Sequence, residues 1–138
     1  MNAKVNGILE SALYFDKLED AAEFYMDLFQ FEILINTDRL VALKVGGTQV
    51  LLLFKKDGTL NEIVLPNGGI IPSHNGSVPV HMAFSIDLTT FDDWKNRLLE
   101  RAIEIESVVQ FNDGQSIYFR DTENHLIELA TPGIWKGI

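Results

Sequence analysis

The chain has no cysteine, no long hydrophobic run and few basic residues. The lack of cysteine excludes disulfide bonds, thiolate metal ligands and a cysteine nucleophile. The longest aliphatic run, residues 50–54, is far shorter than the roughly 20 apolar residues of a transmembrane helix. The first residues lack the apolar stretch of a signal peptide, so we expect a cytoplasmic protein.

Basic residues are outnumbered, with 11 Lys and Arg against 20 Asp and Glu and a formal net charge of -9. This balance leaves no basic stripe, so neither nucleic acid nor an anionic membrane is an expected partner. The 138 residues, 46% of them hydrophobic, fit one compact domain with an ordinary core.

Three strand-like segments each carry one metal-ligand side chain on the face opposite their apolar residues. These side chains are Glu10, His81 and Glu128. Because side chains alternate along a strand, His81 shares its face only with small residues, while the larger apolar residues of 80–86 share the other. One face therefore packs on a core, and the other opens on a space where two carboxylates and an imidazole can meet. That composition suits a divalent cation.

The same order of elements occurs twice, as a strand, a helix and three further strands. The first helix is predicted to start near Asp16, with Asp16 and Glu19 as a capping box. Its apolar stripe has helical spacing, and the second helix, capped by Thr89 or Thr90, repeats the pattern. The stripes are Leu18, Ala21, Ala22, Tyr25, Leu28 and Phe29, then Phe91, Trp94, Leu98 and Ala102. The strands that follow the helices are predicted at 31–35, 40–45 and 49–54, then at 103–109, 116–120 and 126–130.

The duplicated layout divides the single domain, residues 1–138, into two modules. Module one covers about 8–54 and module two about 80–132. The connector, 55–79, is rich in Gly, Pro, Asn and Ser and has no clear periodicity. A loop of this length inside a compact domain is usually functional or a linker, and we expect it to join the modules and fold over the cavity.

Two motifs at the ends of this layout resemble a known family. Residues 13–25, LYFDKLEDAAEFY, are similar to the opening strand and helix of the vicinal oxygen chelate superfamily. Residues 116–129, SIYFRDTENHLIEL, are similar to its closing hairpin. This is the glyoxalase, bleomycin-resistance and dioxygenase group. The resemblance implies an α+β fold in which two βαβββ modules form a half-open, mixed-sheet barrel around a metal.

The resemblance places Glu10, His81 and Glu128 on three ligand positions of the family. Position 10 is Glu where many relatives have His, and residues 49–54 carry no carboxylate. A three-ligand site with positions open to water and substrate therefore fits better than a four-ligand glyoxalase I site. The cation is Fe, Mn, Ni or Zn, since this donor set accepts each of them. Glu10 is either a ligand or a base that detaches from the metal.

Four further residues are candidates for catalysis or substrate binding. Tyr118 shares the face of Ser116 and could donate a proton to a metal-bound oxyanion; Tyr14 could act in the same way. The alternative for both tyrosines is an aromatic cavity wall. His74, in the connector, is a substrate contact or a solvated loop histidine. Arg120 holds an anionic substrate or pairs with the neighbouring Asp121.

The function implied by the resemblance is that of a metal-dependent enzyme of glyoxalase-like type. A divalent cation would chelate substrate oxygens and stabilise an enolate or oxyanion, in lyase, isomerase or dioxygenase chemistry on a small molecule. The alternative is a drug-sequestering binding protein of the bleomycin-resistance type. No cation-loop signal supports thiol transfer. We also expect a homodimer, because the superfamily often completes its barrel across chains and because Phe24 and Met26 lie off the core stripe.

Overall fold

The computed structural model describes residues 3–138 and shows an α+β chain with two βαβββ modules. The chain divides into two compact units, one ending at Ser77 and the other beginning at Val78. Each unit contains one α-helix and one four-stranded mixed sheet, which confirms the fold class predicted from the duplicated layout. Between residues 3 and 138, no helix is both long enough and apolar enough to cross a membrane.

The first unit is built on a sheet with the strand order β1-β4-β3-β2. Strand β1 runs parallel to β4, and the other neighbours are antiparallel. A short hairpin, β5 and β6, follows within the connector. The elements are β1 (Glu10–Phe15), α1 (Leu18–Phe29), β2 (Glu32–Asn36), β3 (Leu40–Val45), β4 (Gln49–Lys55), β5 (Ile63–Val64) and β6 (Ile70–Ile71).

The core of the first unit lies between α1 and one face of this sheet. The predicted helical stripe is buried from Leu18 to Leu28, whereas Phe29 is half-buried. The capping box is wrong, because Lys17 occupies the N-cap position and makes no side-chain capping hydrogen bond. Burial of the apolar stripe, more than capping, therefore fixes where α1 packs. The opposite face of β1 carries Glu10 and Tyr14.

The second unit repeats this plan with the strand order β7-β10-β9-β8. Strand β7 runs parallel to β10, and the remaining pairs are antiparallel. The elements are β7 (His81–Ser85), a 3₁₀ turn (Leu88–Thr90), α2 (Phe91–Glu100), β8 (Ser107–Phe111), β9 (Gly114–Arg120), β10 (Leu126–Ala130) and a second 3₁₀ turn (Pro132–Ile134).

Helix α2 covers one face of this sheet through a shorter stripe than the sequence predicts. Phe91 and Leu98 are buried, but Ala102 is exposed, with a φ of 55° beyond the end of the helix. Thr90 does occupy the N-cap position, as predicted. Its hydroxyl, however, donates to the carbonyl of Asp87 at 2.8 Å, within the preceding 3₁₀ turn. The strand predicted from residue 103 begins only at Ser107, because the chain first closes the helix with an Ile103 N–H to Leu98 carbonyl bond.

The hairpin between β8 and β9 packs tightly against the second 3₁₀ turn. A Cβ atom on Gly114 would lie 2.3 Å from the backbone nitrogen of Ile134. We expect Gly114→Ala to lower the unfolding free energy by about 1–3 kcal/mol, because backbone must move to admit the methyl group. Thermal denaturation measures the loss. Gly47→Ala is the control, since a Cβ there meets no atom within 4 Å. Equal melting temperatures for the two variants would contradict the expected clash.

Candidate metal centre

His81 and Glu128 meet on one face of the second sheet. Residue 126 of β10 is paired with His81 in parallel register, so Glu128, two residues on, lies diagonally across from the imidazole. The distance from His81 Nε2 to Glu128 Oε1 is 3.0 Å. The Glu128 side chain is 7% exposed and that of His81 is 49% exposed. The pair therefore has a fixed, buried carboxylate and an accessible imidazole.

Both nitrogens of the His81 ring face oxygen acceptors. Nδ1 lies 3.1 Å from the carbonyl oxygen of Leu126, and Nε2 faces the Glu128 carboxylate. A neutral imidazole has a single N–H, so donation to Leu126 from Nδ1 leaves a lone pair on Nε2 directed at the carboxylate. A divalent cation bound by Nε2 and Glu128 satisfies both groups, and the carbonyl then orients the ring as an outer-shell partner. The donor set therefore fits a metal ion.

Two hydroxyl groups on β9 surround the Glu128 carboxylate. Tyr118 is directly opposite Glu128 in the antiparallel register, and Ser116 Oγ donates to Glu128 Oε2 at 2.5 Å. The Tyr118 ring stacks on His81, with ring centroids 6.0 Å apart. Burial, then the charge and hydrogen bonding of Glu128, raise the pKa of Tyr118. The phenol thus keeps its proton beside the carboxylate, as a hydrogen-bond donor requires.

Ser116 is a functional candidate that the sequence analysis did not select. We expect Ser116→Ala to weaken metal binding by about 10–100-fold, because outer-shell partners orient the ligands that they contact. The fold should tolerate the change, since only one hydroxyl is removed. Ser107→Ala, on the exposed strand β8, is the matched control. Titration of the metal-free protein with Mn²⁺ measures both affinities, and equal affinities would contradict the role of Ser116.

The predicted site residues of the first unit lie on the polar face of β1 and in the connector. Glu10 is exposed at the first position of β1, paired in register with Val50. Tyr14 is half-buried on the same face, and its hydroxyl lies 2.5 Å from His74 Nδ1. The structure thus brings Tyr14 and His74 together. His74 is half-buried, not the solvated loop histidine that the sequence left open as the alternative.

Arg120 and its neighbour Asp121 have separate partners, so the ion pair between them that the sequence left as an alternative does not form. Arg120 Nε donates to Glu106 at 2.8 Å, so its ion pair is with Glu106 and not with the neighbouring Asp121. This pairing lowers the pKa of Glu106 and raises that of Arg120. Asp121 instead accepts from the backbone and Nδ1 of buried His125, each at 3.0 Å. His125 is therefore part of the turn that joins β9 to β10.

His81 and Glu128, two of the three predicted ligands, lie together in the second unit. Among residues 78–138, no third His, Asp or Glu joins the pair in a group able to hold a metal. The assignment of Glu10 as third ligand stays a prediction. A cleft of about 920 Å³ in the first unit is lined by α1, β2 and β3, and includes neither Glu10 nor Tyr14 nor His74. This cleft is not the predicted site.

Residues 7–129 match the model of the Glyoxalase/Bleomycin resistance protein/Dioxygenase superfamily. The chain belongs to this superfamily. Among solved structures of the superfamily fold, a lactoylglutathione lyase from Agrobacterium tumefaciens superposes with a TM-score of 0.86 and 31% identity. The superposition covers 97% of this chain and 99% of that one. The resemblance that carried the prediction of the fold is thus confirmed.

Curated relatives of the chain in this superfamily are named metallothiol transferase FosB. The relative from Shouchella clausii is 30% identical over 131 residues, which cover 92% of this chain and 81% of the relative. The relative from Staphylococcus epidermidis is 32% identical over 116 residues, covering 83% and 73%. A glyoxalase/dioxygenase from Nostoc punctiforme, 18% identical with a TM-score of 0.67, shows the fold alone.

Proposed function

We propose that this protein is a metal-dependent enzyme that acts on a small molecule. The observation that carries the proposal is the His81–Glu128 pair, in which an oriented imidazole nitrogen faces a buried carboxylate. The names of the relatives, a metallothiol transferase and a lactoylglutathione lyase, support an enzyme. We assign Glu10 as the third ligand and Fe, Mn, Ni or Zn as the cation.

The cation would supply Lewis-acid stabilisation of negative charge on chelating substrate oxygens. The chain's own residues are positioned to hold the ligands and to stabilise that charge. Glu128 is held by Ser116, and His81 is oriented by the Leu126 carbonyl. Tyr118, protonated and stacked beside His81, is placed to donate a hydrogen bond to a developing enolate or oxyanion. Arg120 lies on the same face of β9 as Tyr118. It would give up its ion pair with Glu106 and bind an anionic group of the substrate instead.

The reaction class that we favour is lyase or isomerase chemistry, with oxygenation as a further possibility of the same site. A second candidate is transfer of a thiol, which the sequence analysis did not favour. The specific observation for it is the name shared by the curated relatives, metallothiol transferase. The chain has no cysteine, so the thiol would have to be a second substrate. Dependence of turnover on an added thiol distinguishes the two.

The alternative from a different class is a drug-sequestering binding protein of the bleomycin-resistance type. Such a protein needs no metal and turns nothing over. The pair of His81 and Glu128 favours the enzyme, because an imidazole and a buried carboxylate 3.0 Å apart can both bind a divalent cation, which drug sequestration does not require. A cytoplasmic location stays a prediction from the sequence.

One experiment tests the proposed function. Protein purified without added metal is subjected to elemental analysis, then screened against dicarbonyls, catechols and epoxides, with and without a thiol. We expect about one divalent metal ion per chain, or uptake of one on titration, and turnover that a chelator abolishes. A chain that binds no divalent metal, or activity that survives chelation, would overturn the proposal.

We also propose that the protein is a homodimer. Phe24 and Met26 are both half-buried on α1 and offer little apolar surface to a second chain. More exposed aromatic side chains lie elsewhere, including Phe111 at 59% and Trp135 at 64%. Large exposed aromatics of this kind are typical of interaction surfaces. We expect small-angle scattering at micromolar concentrations to give twice the chain mass. A monomer mass across that range would refute the dimer.

A further inference from the structure

Tyr14 and His74 form the centre of a polar and aromatic cluster in the first unit. The hydroxyl and His74 Nδ1 are 2.5 Å apart, and the two rings meet edge to face with centroids 5.7 Å apart. Phe54 stacks on Tyr14 at 5.7 Å and meets the edge of His74 at 4.7 Å. Tyr14 and Phe54 are direct partners in the register of β1 and β4. The cluster therefore joins His74 of the connector to two residues on neighbouring strands, Tyr14 and Phe54.

Three consecutive connector residues, 74–76, make contacts that hold His74 against Tyr14. The His74 N–H donates to the Thr59 carbonyl at 2.9 Å, and the hydroxyl of buried Thr59 donates back to the His74 carbonyl. Asn75 makes two hydrogen bonds with Asp57, at 2.8 and 3.2 Å. Gly76 lies so close to Tyr14 that a Cβ atom would be 2.5 Å from the ring. Packing alone would not need an imidazole here, because an apolar ring fills the same space without desolvating a polar group.

The hydrogen bond to Tyr14 determines which nitrogen of the His74 ring carries the proton and remains available to a ligand. Burial raises the pKa of Tyr14, so the phenol keeps its proton and can donate it to a Nδ1 that carries none. In a neutral ring, the proton of His74 is then on Nε2. Among residues 3–138, no hydrogen-bond partner is found for that nitrogen. The ring therefore offers one N–H donor, on the same unit and the same sheet face as Glu10.

We propose that Tyr14 and His74 recognise an oxygen acceptor of the substrate, a carboxylate or a carbonyl, remote from the oxygens that chelate the metal. This inference rests on the proposed function. Glu10 and Tyr14 are four residues apart on one strand, which puts their Cα atoms about 13 Å apart. The acceptor that Tyr14 and His74 bind is therefore separate from the ligand position at Glu10. The substrate class is then a molecule with chelating oxygens and, apart from them, a further oxygen acceptor.

Binding of matched ligands tests this assignment. The probes are 2-oxo monoacids and 2-oxo diacids of equal, increasing chain length, titrated calorimetrically into the Mn²⁺-loaded protein. Both chelate through the 2-oxo acid group, but only the diacid carries a distal carboxylate. We expect the diacid of matching length to bind about 10–100-fold more tightly, as for a hydrogen bond to a charged group. His74→Phe should abolish that difference without weakening the monoacid, and Tyr14→Phe should reduce it.

The control variant is Tyr25→Phe, which makes the same chemical change on the buried face of α1. It should keep the diacid advantage. If the loaded wild type shows no diacid advantage, or if His74→Phe retains it, the inference is overturned. If the chain takes up no metal, the proposed function fails instead, so the two failures are distinguishable.

A second readout requires neither metal nor ligand. The chain has three histidines, so long-range ¹H–¹⁵N spectra of histidine-labelled, metal-free protein resolve each ring. We expect His74 to show a protonated Nε2 and an acceptor Nδ1, and Tyr14→Phe to shift that tautomer equilibrium. A protonated Nδ1 in the wild type, or an unchanged spectrum in the variant, would refute the assignment of the donor.

Discussion

Replacing His81 or Glu128 with alanine is expected to abolish stoichiometric metal binding while leaving the fold intact. Each change removes one partner of the pair that the β7–β10 register brings to 3.0 Å. The loss should exceed the roughly 10–100-fold cost of removing an outer-shell partner, because a donor atom itself disappears. Neither side chain belongs to the apolar core between α2 and the sheet.

Metal content per chain and the melting temperature of the metal-free protein measure the two parts of this prediction. His81→Ala should melt close to the wild type, since the ring is half-exposed. Glu128→Ala removes a buried carboxylate and leaves the Ser116 hydroxyl without that acceptor, so we expect a modest change in stability.

Glu106→Ala provides the matched control, because it deletes an exposed carboxylate of the same unit that pairs with Arg120. It should keep full metal content. Wild-type metal content in both His81→Ala and Glu128→Ala would remove these residues from the metal centre. A collapse of metal-free stability in either would instead indicate a structural role.

The sequence predicted the placement of His81 and Glu128 because strand alternation is a local rule. A side chain that interrupts an apolar strand must face away from the core, whatever the details of packing. The bounds of β3 and β10 are as predicted for the same reason. The duplicated order of elements then fixed which strands could be neighbours. None of this depends on contacts between distant residues.

Contacts made by side-chain rotamers and by the connector could not be predicted in this way. Ser116 shares its face with Tyr118, but its bond to Glu128 depends on the β9–β10 register and on a rotamer. The contact between His74 and Tyr14 joins residues that are 60 positions apart. It depends on the hydrogen bond from His74 to Thr59 within the connector, and no periodic pattern in the sequence indicates that bond.

The exchange Glu10→Gln is expected to weaken metal binding by more than about 100-fold, with loss of activity following from loss of metal. Gln keeps the size of the side chain but removes the charge that a hard cation prefers in a carboxylate donor. Glu10 is exposed at the start of β1, so stability should change little. Metal titration together with turnover on a substrate found by screening measures both effects.

The competing role for Glu10 is that of a base, which gives a different pair of results. A base that is not needed as a ligand leaves metal content unchanged in Glu10→Gln and reduces only kcat, by about 100–10,000-fold for a lost general base. Retention of both metal and turnover would remove Glu10 from the site altogether.

Glu10→His separates the ligand role from the base role most sharply, because imidazole is a good metal ligand but a base with a different pKa from that of a carboxylate. If Glu10 is a ligand, imidazole replaces its donor atom, and metal content should recover relative to Glu10→Gln. Activity should then recover with the metal. If Glu10 is the base, metal content is the same in all three proteins, and turnover in the histidine variant instead follows the protonation of the new imidazole. We expect recovery of the metal, because the resemblance to the superfamily implies a ligand at position 10.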